Sequence, residues 1–181
     1  MSRHGKFSRW ALAGLISVIT LGPACAPKQQ ESSDDTRTDV ASAARKVYVA
    51  PGDRRTKSGV PGETQNHLVL LAETLEGYHN LIKLVSAGYT EGFYYKPRID
   101  KDLLAQHSKG LIGLSSCLKG EVAEGLAHHQ DRKAIEAAAA YRDILGPGNF
   151  FLEMQWHGIE EQRTVNTGLP AIARDLGVSA G

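Results

Sequence analysis

Two cysteines in 181 residues, Cys25 and Cys117, are too few and too far apart for a disulfide-stapled scaffold. Net charge is also scarce. Lys and Arg number 21 against 20 Asp and Glu, a formal charge of +1, so the chain as a whole exerts no pull on nucleic acid or acidic lipid, and any such contact has to be local. The sequence has no glycine-rich phosphate loop and no Ser, His, Asp order suited to nucleophilic hydrolysis. Its apolar run at 11–22, ALAGLISVITLG, is too short for a confident bilayer span. What remains is a chain with 41% hydrophobic and 23% charged residues, enough for one globular domain.

The first 26 residues have the layout of an export signal. Arg3, Lys6 and Arg9 precede the apolar run, and the small-residue string Pro23-Ala24-Cys25-Ala26 follows it. Two endings suit this layout. One is cleavage after Ala24-Cys25-Ala26; the other is lipidation of Cys25, although Leu21 sits one place too early for a lipobox. Residues 27–45 are polar, small and free of aromatics, and are expected to be a disordered tether. The folded domain is expected over 46–181.

Within that domain, Lys46-Val-Tyr-Val-Ala50 is β-branched and aromatic and stops at Pro51-Gly52, which predicts a strand and a turn. The continuous apolar run His67 to Ala72 predicts a strand buried on both faces of a parallel sheet. Thr74 is placed to cap a helix from Leu75 to Tyr89, whose apolar stripe is Tyr78, Leu81, Ile82, Val85 and Tyr89. A short helix opens at Asp100 or Lys101. Leu111 to Cys117 reads as a strand with a polar end, Glu121 to Leu126 as the start of a turn or helix, and Asp131 to Leu145 as an alanine-rich helix stopped by Gly146-Pro147-Gly148. Asn149 to Gln155 predicts another strand. A last helix spans Ile159 to Leu176, with a break expected near Gly168 because Pro170 removes a backbone donor. This alternation of strand and helix builds an α/β fold, and it asks for one more strand near Val178.

The centre of the pattern is Gly88 to Asp100, GYTEGFYYKPRID. With HLVLLA before it and GLIGLSSCLKGEV after it, this stretch closely resembles the PHP (polymerase and histidinol phosphatase) domain at the front of the bacterial DNA polymerase III alpha subunit. The resemblance runs from about Val47 to Gly177. It implies a partial PHP-type (βα) barrel, incomplete at both ends, behind the N-terminal leader. It also implies a role in DNA replication beside the rest of a polymerase alpha subunit or replisome partners, with DNA contact weak or indirect. The resemblance points to the cytoplasm and the leader points to the envelope or periplasm, with membrane contact only through that leader.

Such domains gather metal ions for phosphoester hydrolysis. By matching of motifs, the resemblance implies His67, Cys117 and His157 as ligands of zinc or manganese. Cys117 also suits a small buried core position. The family's opening His-x-His strand and its Thr-Asp-His segment have no counterpart here. Lys46 stands where an acidic residue usually does, and the closing Asn-Asp-x-His segment would follow Gly177. The resemblance implies that the palm, the fingers and their catalytic acidic residues lie outside this length and that most PHP ligands are missing, so neither polymerase nor phosphoesterase activity is expected of the chain by itself. The alternatives are an exported or lipid-anchored binding module and a residual metal-dependent phosphoesterase. Separately, Lys96, Arg98 and Lys101 form a small basic group near Tyr89, Phe93, Tyr94 and Tyr95, which keeps a weak nucleic-acid contact open.

Overall fold

The computed structural model describes residues 43–57 and 65–181. The leader, Cys25 and most of the tether lie outside them. The strands are β1 (Ala44–Val49), β2 (Asn66–Ala72), β3 (Arg98–Ile99), β4 (Leu111–Leu114), β5 (Phe150–Leu152) and β6 (Ser179–Ala180). They form one open sheet in the order β3-β1-β2-β4-β5-β6, within an α/β fold. The sixth strand lies where the alternation asked for it, and the first begins at Ala44, two residues before Lys46.

The direction of β2 corrects the all-parallel expectation. It pairs antiparallel with β1 and with β4, whereas β1–β3, β4–β5 and β5–β6 are parallel. Five strands therefore run one way and β2 runs the other. Its residues are not buried on both faces: Leu68, Leu70 and Ala72 are buried, and the alternate positions are only half-buried. One covered face is the ordinary condition of an antiparallel strand. Reversal has a positional consequence: the start of β2 lies at the edge where the other strands end.

Among the described residues, five helices pack with these strands around one core. They are α1 (Leu75–Thr90), α2 (Lys101–Gln106), α3 (Glu121–Ala127), α4 (Asp131–Leu145) and α5 (Glu160–Leu176). The core joins Val47, Val49, Leu68 and Leu70 of the strands to Leu84, Leu104, Leu126, Tyr141 and Leu169 of the helices. Burying each such large side chain is worth about 1.5–3 kcal/mol. Thr74 caps α1 as expected, its hydroxyl accepting from the Gly77 amide at 3.0 Å. The buried stripe of α1 agrees with the one read in sequence at Leu81 and at half-buried Val85 and differs elsewhere. Gly77, Asn80, Leu81, Leu84 and Gly88 face inward, while Tyr78 (40% exposed), Ile82 (46%) and Tyr89 (60%) face out.

Helix α5 runs through Pro170 without the expected break. Pro170 is on the exposed side, where water can serve the carbonyl that loses its donor, and Val165, Leu169, Ile172 and Ala173 hold the opposite side in the core. Gly168 does not mark a break. It brings the helix against Leu126, whose Cδ2 would lie 2.7 Å from an added Cβ.

Candidate functional site at the strand-end edge

The edge where five strands end and β2 begins carries the polar residues of interest. Alternation along β1 puts Lys46 and Tyr48 on one side of the sheet, and the register sets Tyr48 directly opposite His67. Their rings meet edge to face, with centroids 5.2 Å apart, and the Lys46 ammonium lies 5.4 Å from the centre of the Tyr48 ring. On the other flank, β4 leads through Ser115 and Ser116 to Cys117. Ser116 turns the chain with φ at 68°. The result brings His67 Nδ1 to 3.3 Å from Cys117 Sγ.

The backbone fixes this pair. His67 donates its amide to the Lys119 carbonyl at 2.8 Å, and the Gly120 amide donates to the Cys117 carbonyl at 2.7 Å. Burial pushes the His67 pKa below its ordinary value, and the charges of Lys46 and Lys119 push it the same way. The imidazole is therefore neutral near pH 7, with a ring nitrogen able to accept a proton.

His157 is not part of this pair. It is exposed, and buried Gln162 holds it by both ends: the His157 amide donates to Gln162 Oε1 at 2.7 Å, and its Nδ1 lies 2.9 Å from Gln162 Nε2. A small cavity beside Cys117 is also lined by Glu153, Gln155 and Gln162. Among the described residues, no group of three or more His, Cys, Asp or Glu side chains is placed to hold a metal ion. The three ligands implied by motif matching thus reduce to a pair and a separate histidine. Two donors flanked by two lysines do not fit zinc or manganese, which need at least three protein ligands or several oxygen donors and a favourable local field.

The basic group read from sequence is also dispersed, and Arg98 requires correction. It is 2% exposed, and its guanidinium donates inward, from Nε to the Gly92 carbonyl at 3.2 Å and from one terminal nitrogen to the carbonyls of Arg54 (2.9 Å) and Thr56 (2.8 Å). A buried side chain committed to three backbone carbonyls cannot meet a phosphate. Lys101 is half-buried against the Tyr141 ring, and its ammonium lies 2.8 Å from Glu121 Oε1. Lys96 is exposed, as are Tyr89, Phe93 and Tyr95.

One constellation was missed in the sequence. Arg54, from the polar loop after β1, makes a bidentate contact with Asp100 at 2.9 and 3.1 Å and reaches Glu91 at 2.7 Å. Asp100 also accepts from the Arg54 amide at 3.0 Å and caps α2 through the Leu103 amide at 2.8 Å. Asp100 was legible as a helix opener, but nothing near Arg54 in the sequence marks it as an interior cation. The aromatic stretch thus anchors the loop after β1 through its charged end.

The α/β sheet carries a histidine and a cysteine at its strand-end edge, and comparison of the sequence with known proteins assigns this architecture to a family. Residues 27–157 match the family model described as PHP domain. The chain belongs to the PHP domain family. It is 45% identical over 133 residues to DNA polymerase III subunit alpha of Treponema pallidum (strain Nichols), a match that covers 73% of this chain and 11% of that protein. The subunit of the same name from Deinococcus radiodurans is 45% identical over 136 residues (73% of this chain, 10% of that protein), and the one from Thermus aquaticus is 43% identical over 127 residues (70% and 10%). The chain spans about a tenth of the length of these relatives.

Proposed function

We propose that this chain serves as the PHP part of a replicative DNA polymerase III alpha polypeptide, contributing a structural surface to DNA replication without polymerase or phosphoesterase activity of its own. The observation that carries this reading is the 45% identity to such a subunit over 133 residues. The strand-end edge supports the second half. Metal-assisted hydrolysis needs an ion to activate water and to neutralise phosphate charge, and His67 with Cys117 is two donors beside two cations.

Two experiments test it. Titration of the purified chain with zinc or manganese is expected to show no stoichiometric binding, and hydrolysis of bis(p-nitrophenyl) phosphate is expected to be the same for the natural chain and for His67→Ala. One bound equivalent together with turnover that His67→Ala abolishes would establish a residual phosphoesterase instead. The replication role is tested by cell fraction and intact mass in the host. A cytosolic product associated with polymerase polypeptides supports it. A mature chain that begins near Pro27, or at a lipidated Cys25, in the envelope would overturn it in favour of an exported binding module, the reading that Arg3, Lys6, Arg9 and the apolar run favour.

A further inference from the structure

We propose that the open edge of β1, from Ala44 to Val47, is a docking slot for an extended strand of a protein partner, one that carries two adjacent carboxylates beside an apolar residue. The inference stands independently of the polymerase reading.

The slot exists because β3 is too short to fill it. β3 pairs with β1 only at Tyr48 and Val49. Ahead of Arg98 the chain turns off that line, through Pro97, a bond from the Tyr94 amide to the Lys96 carbonyl at 3.1 Å, and Tyr95 with φ at 59°. Among the described residues, no strand therefore lies beside Ala44 to Val47 on this flank. The main chain there is set to pair. The Ala72 amide donates to the Ala43 carbonyl at 3.2 Å, so by alternation Arg45, Val47 and Val49 turn their amides and carbonyls toward β2. Ala44 and Lys46 turn theirs to the open flank, as does Ala50, whose amide reaches the Ile99 carbonyl at 2.8 Å. The Ala44 carbonyl accepts from the exposed Arg45 guanidinium at 2.9 Å, a contact that the amide of an added strand would replace.

Room for side chains lies beside this edge. Two adjoining hollows of about 220 and 190 Å³ separate β1 from α1, and both reach Arg45 and Val85. Tyr89 and Pro97 line the first, Tyr78 and Ile82 the second, so the apolar residues that α1 turns outward border the slot. Charge then selects the occupant. Arg45 and Lys46 are exposed on opposite sides of the strand, and among the described residues no acidic side chain lines either hollow. A second copy of this edge, pairing antiparallel through Ala44 and Lys46, would set Arg45 directly against its own counterpart, which is unfavourable. In a partner strand the residues opposite Arg45 and Lys46 are neighbours, and each gains from a carboxylate. The next residue lies beside Val47 at the first hollow, where an apolar side chain is buried. Main-chain bonds supply the affinity and these three side chains the selectivity.

The test titrates the full chain into the fluorescein-labelled peptide Thr-Val-Glu-Glu-Val-Thr, blocked at both ends, and follows anisotropy. This sequence presents the same side chains in either strand direction. It is expected to bind about fivefold or more tighter than Thr-Val-Lys-Lys-Val-Thr at low ionic strength, and the difference is expected to shrink as salt is added. Arg45→Glu combined with Lys46→Glu changes exposed residues only, and should invert the preference. N-methylation of alternate peptide residues should abolish binding in one phase and spare it in the other, because only every second amide of a strand faces β1. A contact made by charge alone would be indifferent to the phase. The proposal is overturned if the acidic peptide fails to bind, if its preference survives the double substitution, or if the two methylated peptides behave alike. It is also overturned if sedimentation shows a dimer that the peptide dissociates, since the occupant is then a second copy.

Discussion

Asp100→Ala is expected to lower stability by about 3–5 kcal/mol, the range for removing one partner of a buried ion pair. Arg54 and Asp100 are almost enclosed, with side-chain exposures of 10% and 8%. Removal of the carboxylate leaves a guanidinium in the interior with only Glu91, at the surface, to face it. The substitution also deletes the cap of α2, worth about 1 kcal/mol. The loss should be read as a lower urea midpoint without a change in the denaturant dependence. Glu91→Ala should cost visibly less, since solvent reaches that carboxylate. The double variant Arg54→Met with Asp100→Leu should recover part of the loss, because it removes both charges together. Recovery of nothing would show that the loop is held by the hydrogen bonds of Arg98 rather than by the ion pair.

The same pair sets an acid limit. Burial opposes ionisation of Asp100, but the amides of Arg54 and Leu103 and the Arg54 guanidinium outweigh it and hold the pKa below the ordinary carboxylate value. A depressed native pKa contributes stability that is complete above the unfolded value of about 3.9 and is lost as pH falls through the lower native value. Circular dichroism from about pH 6 to about pH 2 should therefore show this contribution shrinking only below about pH 4. In Asp100→Asn the contribution should be missing across the whole range.

Gly77→Ala is the second large effect, and its sign is the informative part. Within a helix, alanine is better than glycine by about 1 kcal/mol, so propensity alone calls for a more stable protein. A Cβ on Gly77 would lie 1.8 Å from the Gly110 carbonyl oxygen and 2.5 Å from its carbon, both backbone atoms. The first turn of α1 is seated on this segment by two further bonds, from the Glu73 amide to the Gly110 carbonyl (2.9 Å) and from Asn80 Nδ2 to the Lys109 carbonyl (3.0 Å). The helix would have to move off its support, with a loss of about 3 kcal/mol or more. Thermal unfolding checks it against Gly52→Ala, where no atom lies within 4 Å of the added carbon and little change is expected. A melting point raised by Gly77→Ala would mean that the contact is loose in solution.

Much of the architecture is legible from local chemistry. Thr74 and Asp100 announce the helices that they cap, and Gly146-Pro147-Gly148 ends α4 because Gly146 adopts φ at 87°. The errors arise where tertiary contact decides. Apolar spacing on α1 selects Tyr78 and Ile82, but the side that touches the sheet is chosen by the residues that permit close approach, Gly77 and Gly88, and by Asn80, which reaches a backbone carbonyl. Pro170 signals a break on intrinsic preference, yet one missing bond on the wet side does not outweigh the burial of Leu169 and Ile172. At the site, the pairing of His67 with Cys117 follows from the reversal of β2, which no local feature of HLVLLA encodes. Arg54 and Arg98 are invisible as interior cations because their partners lie 46 and 44 residues away in sequence.

The reversed strand also works as a parity lock. In an extended strand, neighbouring residues alternate sides, so a slip of one position between β1 and β2 would carry Leu68 and Leu70 into water and take His67 off the side that it shares with Tyr48. A slip of two would restore the sides but displace His67 along the strand by roughly 7 Å, out of reach of Cys117. Core and chemistry therefore select the same alignment. An insertion or deletion of one residue inside β2 should be read as the loss of both together, whereas length changes in the loops on either side leave that alignment intact.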